Sequence, residues 1–341
     1  MNKNNPLYNF SIDESDLQYV GYDLQRPECI LAEKDGSLWA ADARGGVVHI
    51  KPDGTQSVIT QKHDASSLKE GDRDRFFAGT LPNGLAFTED GDILISNFGT
   101  DCLEIMKRTG ETRVLLDSID GMPIGKVNFV LRDSLNRIWI TVTTQKKNWI
   151  DALVPDLDDG YIILYEEGKE ARIVADGLHF TNEVRFDKDE EYLYCVETVG
   201  VSGGRIVRFR CEDGELKNKE VFGPERWGPG AYPDGIAFDS YGNLWGTMVY
   251  SDKIFIITPE GEGKIIFDAG DQEKVKALDD AFYKSEVDYD TLFATGKGPA
   301  PWMASITFGG KDLKNVYVGS LRGTKIPYFR SPVAGLPMVH W

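Results

Sequence analysis

Six times along the chain a tight turn runs into a short strand that ends on a large side chain, and this repetition limits the fold more than any other feature. The copies are Asp35-Gly36-Ser37-Leu38-Trp39, Asp90-Gly91-Asp92-Ile93-Leu94, Leu135-Asn136-Arg137-Ile138-Trp139, Glu190-Glu191-Tyr192-Leu193-Tyr194, Tyr241-Gly242-Asn243-Leu244-Trp245 and Leu313-Lys314-Asn315-Val316-Tyr317. Their last residues lie 55, 45, 55, 51 and 72 positions apart. Each copy follows one strand and precedes a third and usually a fourth. Around the fifth, Gly235-Ile236-Ala237-Phe238 leads in, and Lys253 to Ile257 and Gly263 to Phe267 follow. Four short strands with turns roughly every 8–12 residues make one antiparallel sheet. Six such sheets set radially make an all-β, six-bladed propeller, which protects its strand edges by repetition. The spacing predicts that fold, as a single domain over residues 1–341. A solenoid is the alternative, but its repeat is usually shorter and carries helix or parallel strands.

Composition agrees with a closed β fold. Hydrophobic residues make up 41% of the chain and aromatics 11%, enough for a core, and the 36 glycines suit a chain with many turns. With 38 basic and 55 acidic residues the net charge is −17, which disfavours nucleic acid and anionic membrane surfaces as partners. Cys29, Cys102, Cys195 and Cys211 have no C-x-x-C spacing and read as free thiols in a reducing compartment. Met1 to Val20 has no apolar signal-peptide core, and no apolar run is long enough to span a membrane. The expectation is a cytoplasmic protein with a small-molecule substrate and no protein partner.

Three segments break the rhythm: Thr60 to Thr80, Gln145 to Asp159 and Asp268 to Trp302. The last predicts a helix over Asp271 to Ser285, with Val275, Leu278 and Phe282 on one stripe. Phe76, Phe77, Trp149, Trp227 and Trp302 lie in stretches longer than a hairpin needs and are candidates for a pocket mouth.

Counting back from the strand-end residues finds one equivalent slot per repeat. Eleven positions before Trp39, Leu94, Trp139 and Trp245 stand Glu28, Asn83, Asn128 and Asp234; twelve before Tyr194 stands Asn182. The sixth repeat has no polar counterpart around Trp302 to Ala304. Innermost propeller strands start at the central channel, so these oxygens are expected to converge on the axis. A divalent cation relieves the desolvation and repulsion of such a cluster. All-oxygen ligation suits calcium before magnesium, and the absence of histidine lowers the case for zinc. Asn-Gly and Asp-Gly are also ordinary turn pairs, a simpler reading for any one slot than for five in register.

Pro27-Glu28, Gly125-Lys126-Val127-Asn128, Thr181-Asn182, Tyr232-Pro233-Asp234-Gly235-Ile236-Ala237-Phe238-Asp239 and Ile306-Thr307-Phe308-Gly309-Gly310-Lys311-Asp312-Leu313 resemble successive signatures of the gluconolactonase, regucalcin and luciferin-regenerating-enzyme family. The resemblance runs from about Tyr19 to Val318. It implies a six-bladed propeller with one axial divalent cation, usually calcium, with magnesium, manganese and zinc as the other candidates. It implies Glu28, Asn128, Asn182 and Asp234 as ligands and Asp234 as base or nucleophile. Lys126 stands where the family often has a substrate-binding arginine, keeping the charge but losing the fork. Two pairs depart from the family pattern: Asn128-Phe129 where Asn-Asp is usual, and Asn182-Glu183 where Asn-Gly is usual.

Asn83, Glu183, Lys126, His179 and Trp302 are the candidate substrate contacts. His179, three residues before Asn182, is either an acid or base at the mouth or a structural histidine. Gly200-Val201-Ser202-Gly203-Gly204 matches a nucleophile-elbow pattern but sits inside a hairpin, the wrong context for it. The implied activity is calcium-dependent hydrolysis of a sugar lactone or similar small lactone. A phosphotriester hydrolase on the same metal, or a non-catalytic binding propeller, are the alternatives.

Overall fold

The computed structural model describes residues 1–62 and 79–341. Six sheets of four antiparallel strands form the propeller. Blade one begins with Ile30–Ala32, blade two with Pro82–Phe87, blade three with Val127–Arg132 and blade four with Thr181–Phe186. Blade five begins with Pro233–Phe238 and blade six with Met303–Gly309. Burial falls from the axis outward: Pro82–Phe87 is buried along its whole length, whereas the outermost strand Glu215–Val221 is mostly exposed. The ring closes through the N-terminus. Gln18–Val20 is the outermost strand of blade six, with Gln18, Tyr19 and Val20 opposite Tyr328, Pro327 and Ile326.

All six repeat residues fall on the second strand of a blade, at equivalent register. Trp39, Leu94, Trp139, Tyr194, Trp245 and Tyr317 pair with Leu31, Ala86, Leu131, Arg185, Ala237 and Thr307 of the innermost strands. The turn before each needs one residue in the left-handed region, filled by Gly36, Gly91, Asn136, Glu190, Gly242 and Leu313. In blades four and six that residue lies one position further from the strand-end residue, which accounts for the twelve-residue spacing of blade four; the turn of blade six is longer again and holds a second left-handed residue, Gly310. An acidic side chain at the turn's start caps the indole. Trp139 and Trp245 Nε1 donate to Asp133 and Asp239 at 2.9 Å, and Trp39 Nε1 to Glu33 at 2.6 Å.

These aromatics join neighbouring blades. Trp139 meets Phe186 edge-on at 5.3 Å, Tyr194 meets Phe238 at 4.9 Å, and Trp245 meets Phe308 at 5.5 Å. Each phenylalanine lies at or near the end of the next innermost strand, so one contact seals each of these blade interfaces.

The helix predicted between blades five and six is Gln272–Phe282, capped by Asp271 and burying Val275, Leu278 and Phe282. It joins an apolar cluster over one face of the propeller that includes Leu81, Phe98, Trp149, Phe180, Tyr250 and Trp302. All four cysteines are free thiols. Among the described residues, no helix is long and apolar enough to cross a membrane.

Candidate metal centre and active site

Glu28 lies just before the strand Ile30–Ala32, and the other five slots sit where the innermost strands depart from regular pairing. Register shifts fall between Pro82 and Leu85, Val127 and Phe129, Thr181 and Val184, Pro233 and Ile236, and Met303 and Ile306. Each bulge therefore contains Asn83, Asn128, Asn182, Asp234 or Ala304. A bulge re-aims a side chain that would otherwise follow the strand's alternation. The sixth slot is thus filled by alanine, as the lack of a polar counterpart in the sequence requires. Backbones crowd here: a Cβ on Gly235 would lie 2.4 Å from Ser305 Cα, which accounts for glycine after Asp234.

Glu28, Asn83, Asn128, Asn182 and Asp234 line one cavity, at 1%, 3%, 5%, 5% and 3% exposure. A sixth polar residue joins them that the sequence reading did not single out. Arg26, two positions before Glu28, is buried with a left-handed φ of 58°. Its Nη2 donates to Asn83 Oδ1 at 2.6 Å and its Nη1 to the Pro82 carbonyl at 2.9 Å. Asn83 Nδ2 in turn donates to the Asn128 backbone and side-chain oxygens at 3.0 and 3.2 Å. Asn182 Nδ2 donates to Thr198 Oγ1 at 3.2 Å.

Two buried oxygens in this ring, Glu28 Oε2 and Asn182 Oδ1, have no hydrogen-bond partner. Buried oxygens rarely stay unsatisfied without a reason. The carboxyls are under strain too. Burial lifts the Glu28 carboxyl well above its usual range, against the pull of Arg26, with Asp234 and Glu183 adding repulsion. Burial and then Glu183 push Asp234 up to about 8, while Arg26 and Asn182 draw it down. Arg26 itself falls to about 10 through burial, opposed by Glu28 and Asp234. Two carboxyl groups and two carboxamides, with one oxygen of Glu28 and one of Asn182 unsatisfied, fit a hard divalent cation.

The wall above this floor is apolar: Leu81, Phe98, Trp149, Phe180, Val249 and Leu321, with the hydroxyls of Thr198 and Tyr250 beside them. The open volume is about 40 Å³, room for a few waters.

The other predicted contacts lie outside this lining. Lys126 is drawn to Asp101 at 2.8 Å, with its ammonium 5.6 Å from the Phe98 ring centre. Glu183 is fully buried, paired with Arg185 at 3.1 Å and accepting from the Ile236 N–H at 3.2 Å. Burial raises it to about 7, against the pull of Arg185. It acts on the ring as a neighbouring charge and offers the cavity no surface. His179 Nδ1 lies 2.8 Å from the Leu157 carbonyl, a packing role at the loop Gln145–Asp159. Trp302 is completely buried, its indole N–H on Thr295 Oγ1 at 3.0 Å and its backbone N–H on Asp252 at 2.8 Å. Of the aromatics expected at the mouth, Trp149 lines the cavity, Trp227 packs on Phe255 in blade five, and Phe76 and Phe77 lie outside the described residues.

One signal could have found Arg26 and Phe180. The position two before each slot reads Arg26, Leu81, Lys126, Phe180, Tyr232 and Trp302. Arg26, Phe180 and Trp302 all have positive φ, of 58°, 46° and 57°. Non-glycine residues held there cost free energy and cluster at functional sites. In this chain the buried cation of that set belongs to blade one, and Lys126 of blade three turns away.

Comparison with known proteins agrees with the propeller fold. A 6-deoxy-6-sulfogluconolactonase from Pseudomonas putida is 22% identical over 235 residues, covering 69% of this chain and 66% of its own length. A gluconolactonase structure from Xanthomonas campestris superposes with a TM-score of 0.65 at 17% identity, over 95% of this chain and 94% of that one. A calcium-binding regucalcin from Agrobacterium tumefaciens gives 0.62 at 16% identity, over 93% and 95%. The family model described as SMP-30/Gluconolactonase/LRE-like region matches residues 26–269, from Arg26 through the last strand of blade five. The chain therefore belongs to the SMP-30/gluconolactonase/LRE-like family.

Proposed function

We propose that this protein is a metal-dependent hydrolase of small lactones, with calcium as the first candidate ion. The observation that carries the reading is the meeting of Glu28, Asn128, Asn182 and Asp234 in one buried cavity, with Glu28 Oε2 and Asn182 Oδ1 unsatisfied. These four residues would hold the cation. Bound there, it supplies Lewis-acid polarisation of an ester carbonyl. The gluconolactonase names among its relatives support the lactone class.

The chain's own groups supply the rest. The Asp234 carboxylate, once ionised, takes a proton from the attacking water. The water oxygen bonds to the lactone carbonyl carbon, the ring C–O bond breaks, and the proton passes to the departing alkoxide. Arg26 places a buried positive charge beside the developing oxyanion, where low dielectric strengthens it. The aromatic wall keeps bulk water out. Asn83 orients Arg26 and donates to Asn128, and in this reading it stays a second-row partner to the ion.

The test is hydrolysis of a lactone panel by the full chain, before and after chelation. Activity lost on chelation and restored by calcium, magnesium, manganese or zinc supports the reading. Turnover of phosphotriesters without turnover of any lactone would redirect it to phosphotriester hydrolysis.

A further inference from the structure

The wall and the floor of the cavity have opposite chemistry. The floor holds the charged and amide groups, partly bonded to one another, Arg26 to Asn83 and Asn83 to Asn128. Asn182 is bonded to Thr198 of the wall, while Glu28 Oε2 and Asn182 Oδ1 stay open to an ion or to the lactone head. The wall offers the faces of Phe98, Trp149 and Phe180 and the branched ends of Leu81, Val249 and Leu321. They belong to one apolar cluster that runs back under the helix Gln272–Phe282. Lys126, expected from the sequence to touch substrate, lies outside the lining and is tied to Asp101.

A sugar lactone carries a hydroxyl on nearly every ring carbon, and each needs a partner once buried. Among the described residues the wall's polar side-chain atoms are the Tyr250 hydroxyl, the Trp149 indole N–H and the Thr198 hydroxyl, the last already accepting from Asn182. That is too few for a polyhydroxylated ring. The open space of about 40 Å³ is bounded by these side chains, so the non-reacting part of a substrate lies against the wall.

Resting on the lactonase reading above, we infer that the substrate is an apolar lactone, bearing an alkyl or aryl substituent, and not a sugar lactone. The polar floor takes the lactone head and the wall takes the hydrocarbon, the usual division in a site with few convergent polar groups and apolar sides. Binding of the hydrocarbon then contributes to turnover as well as to affinity.

The experiment compares δ-decalactone with glucono-1,5-lactone on the full chain with added divalent cation. In parallel, calorimetry follows binding of the matching non-hydrolysable lactams, pentyl-piperidinone and gluconolactam. The expected kcat/KM favours δ-decalactone by about 10²-fold or more, the scale on which an apolar pocket discriminates hydroxyls. Only the alkyl lactam should bind measurably. Phe98→Ala should raise KM for δ-decalactone by about tenfold, and by a larger factor than it raises KM for unsubstituted δ-valerolactone. Gluconolactone turned over as fast as δ-decalactone overturns the apolar substrate and leaves the lactonase standing. Alkyl lactam bound without hydrolysis of any lactone supports the apolar site and overturns the lactonase. Neither bound nor hydrolysed overturns both.

Discussion

Arg26 donates its Nη2 to Asn83 Oδ1 across 2.6 Å, linking blade one to blade two on the floor of the cavity. That bond occupies the oxygen Asn83 would need to ligate an ion, and it fixes a guanidinium beside Glu28 and Asp234. Arg26→Met should therefore have opposite effects on two quantities. Cation affinity measured by calorimetry should rise, because a competing positive charge is gone, while kcat should fall by about 10²-fold as oxyanion stabilisation is lost. Equal affinity and equal kcat would remove Arg26 from the site.

Asp234→Asn keeps the shape and one ligand oxygen but removes the base. The protein should still take up the ion, read by its thermal shift, with turnover lower by about 10²–10⁴-fold. Glu28→Gln should do the reverse in order: the thermal shift on adding the ion should shrink first, and activity should return at higher ion concentration.

The pH dependence has a definite sign. Burial holds Asp234 up at about 8 and Glu183 at about 7, both far above the unfolded carboxyls. Between about pH 4 and pH 8 the folded ring keeps protons that the unfolded chain has released, so ion-free protein should lose stability as pH rises through that window. A bound cation replaces those protons. The melting temperature of chelated protein should fall from pH 5 to pH 8, and the rise produced by added calcium should be largest at pH 8. A flat profile in chelator would mean that Asp234 is ionised throughout.

Much of this site was legible because slot and strand-end residue keep a spacing of eleven in four blades and twelve in blade four. Glu28, Asn83, Asn128, Asn182 and Asp234 could be placed on the axis by counting alone, and pairing of Trp245 with Ala237 shows why: the slot lies three residues before the aromatic's cross-strand partner. Lys126, Glu183, His179 and Trp302 were harder because their direction depends on contacts between distant segments. Asp101, Arg185, Leu157 and Asp252 decide them, from 22 to 50 positions away in three of the four cases. Lys126 and Asp101 lie on different blades, and no local pattern joins them. Closure by Gln18–Val20 was missed for a like reason, since a three-residue strand carries almost no periodicity.

Asp239 accepts at Oδ1 from the N–H groups of Tyr241, Gly242 and Asn243, and at Oδ2 from Asn243 Nδ2 and Trp245 Nε1. Asp239→Ala leaves several buried donors unanswered at once, so urea unfolding should report a loss of about 3 kcal/mol. Asp35→Ala, at the more open turn of blade one, should cost less than a third of that.

The pairing of Gln18 with Tyr328 joins positions 310 residues apart. During synthesis the first strand leaves the ribosome long before its partner exists. The nascent polypeptide must carry an unmatched segment through the making of five blades, and its last act of assembly is to retrieve it. Two chains finishing together can each retrieve the other's segment, giving an exchanged dimer that preserves every native contact. Crowded expression should populate that species, and dilution after brief partial denaturation should return it to monomer.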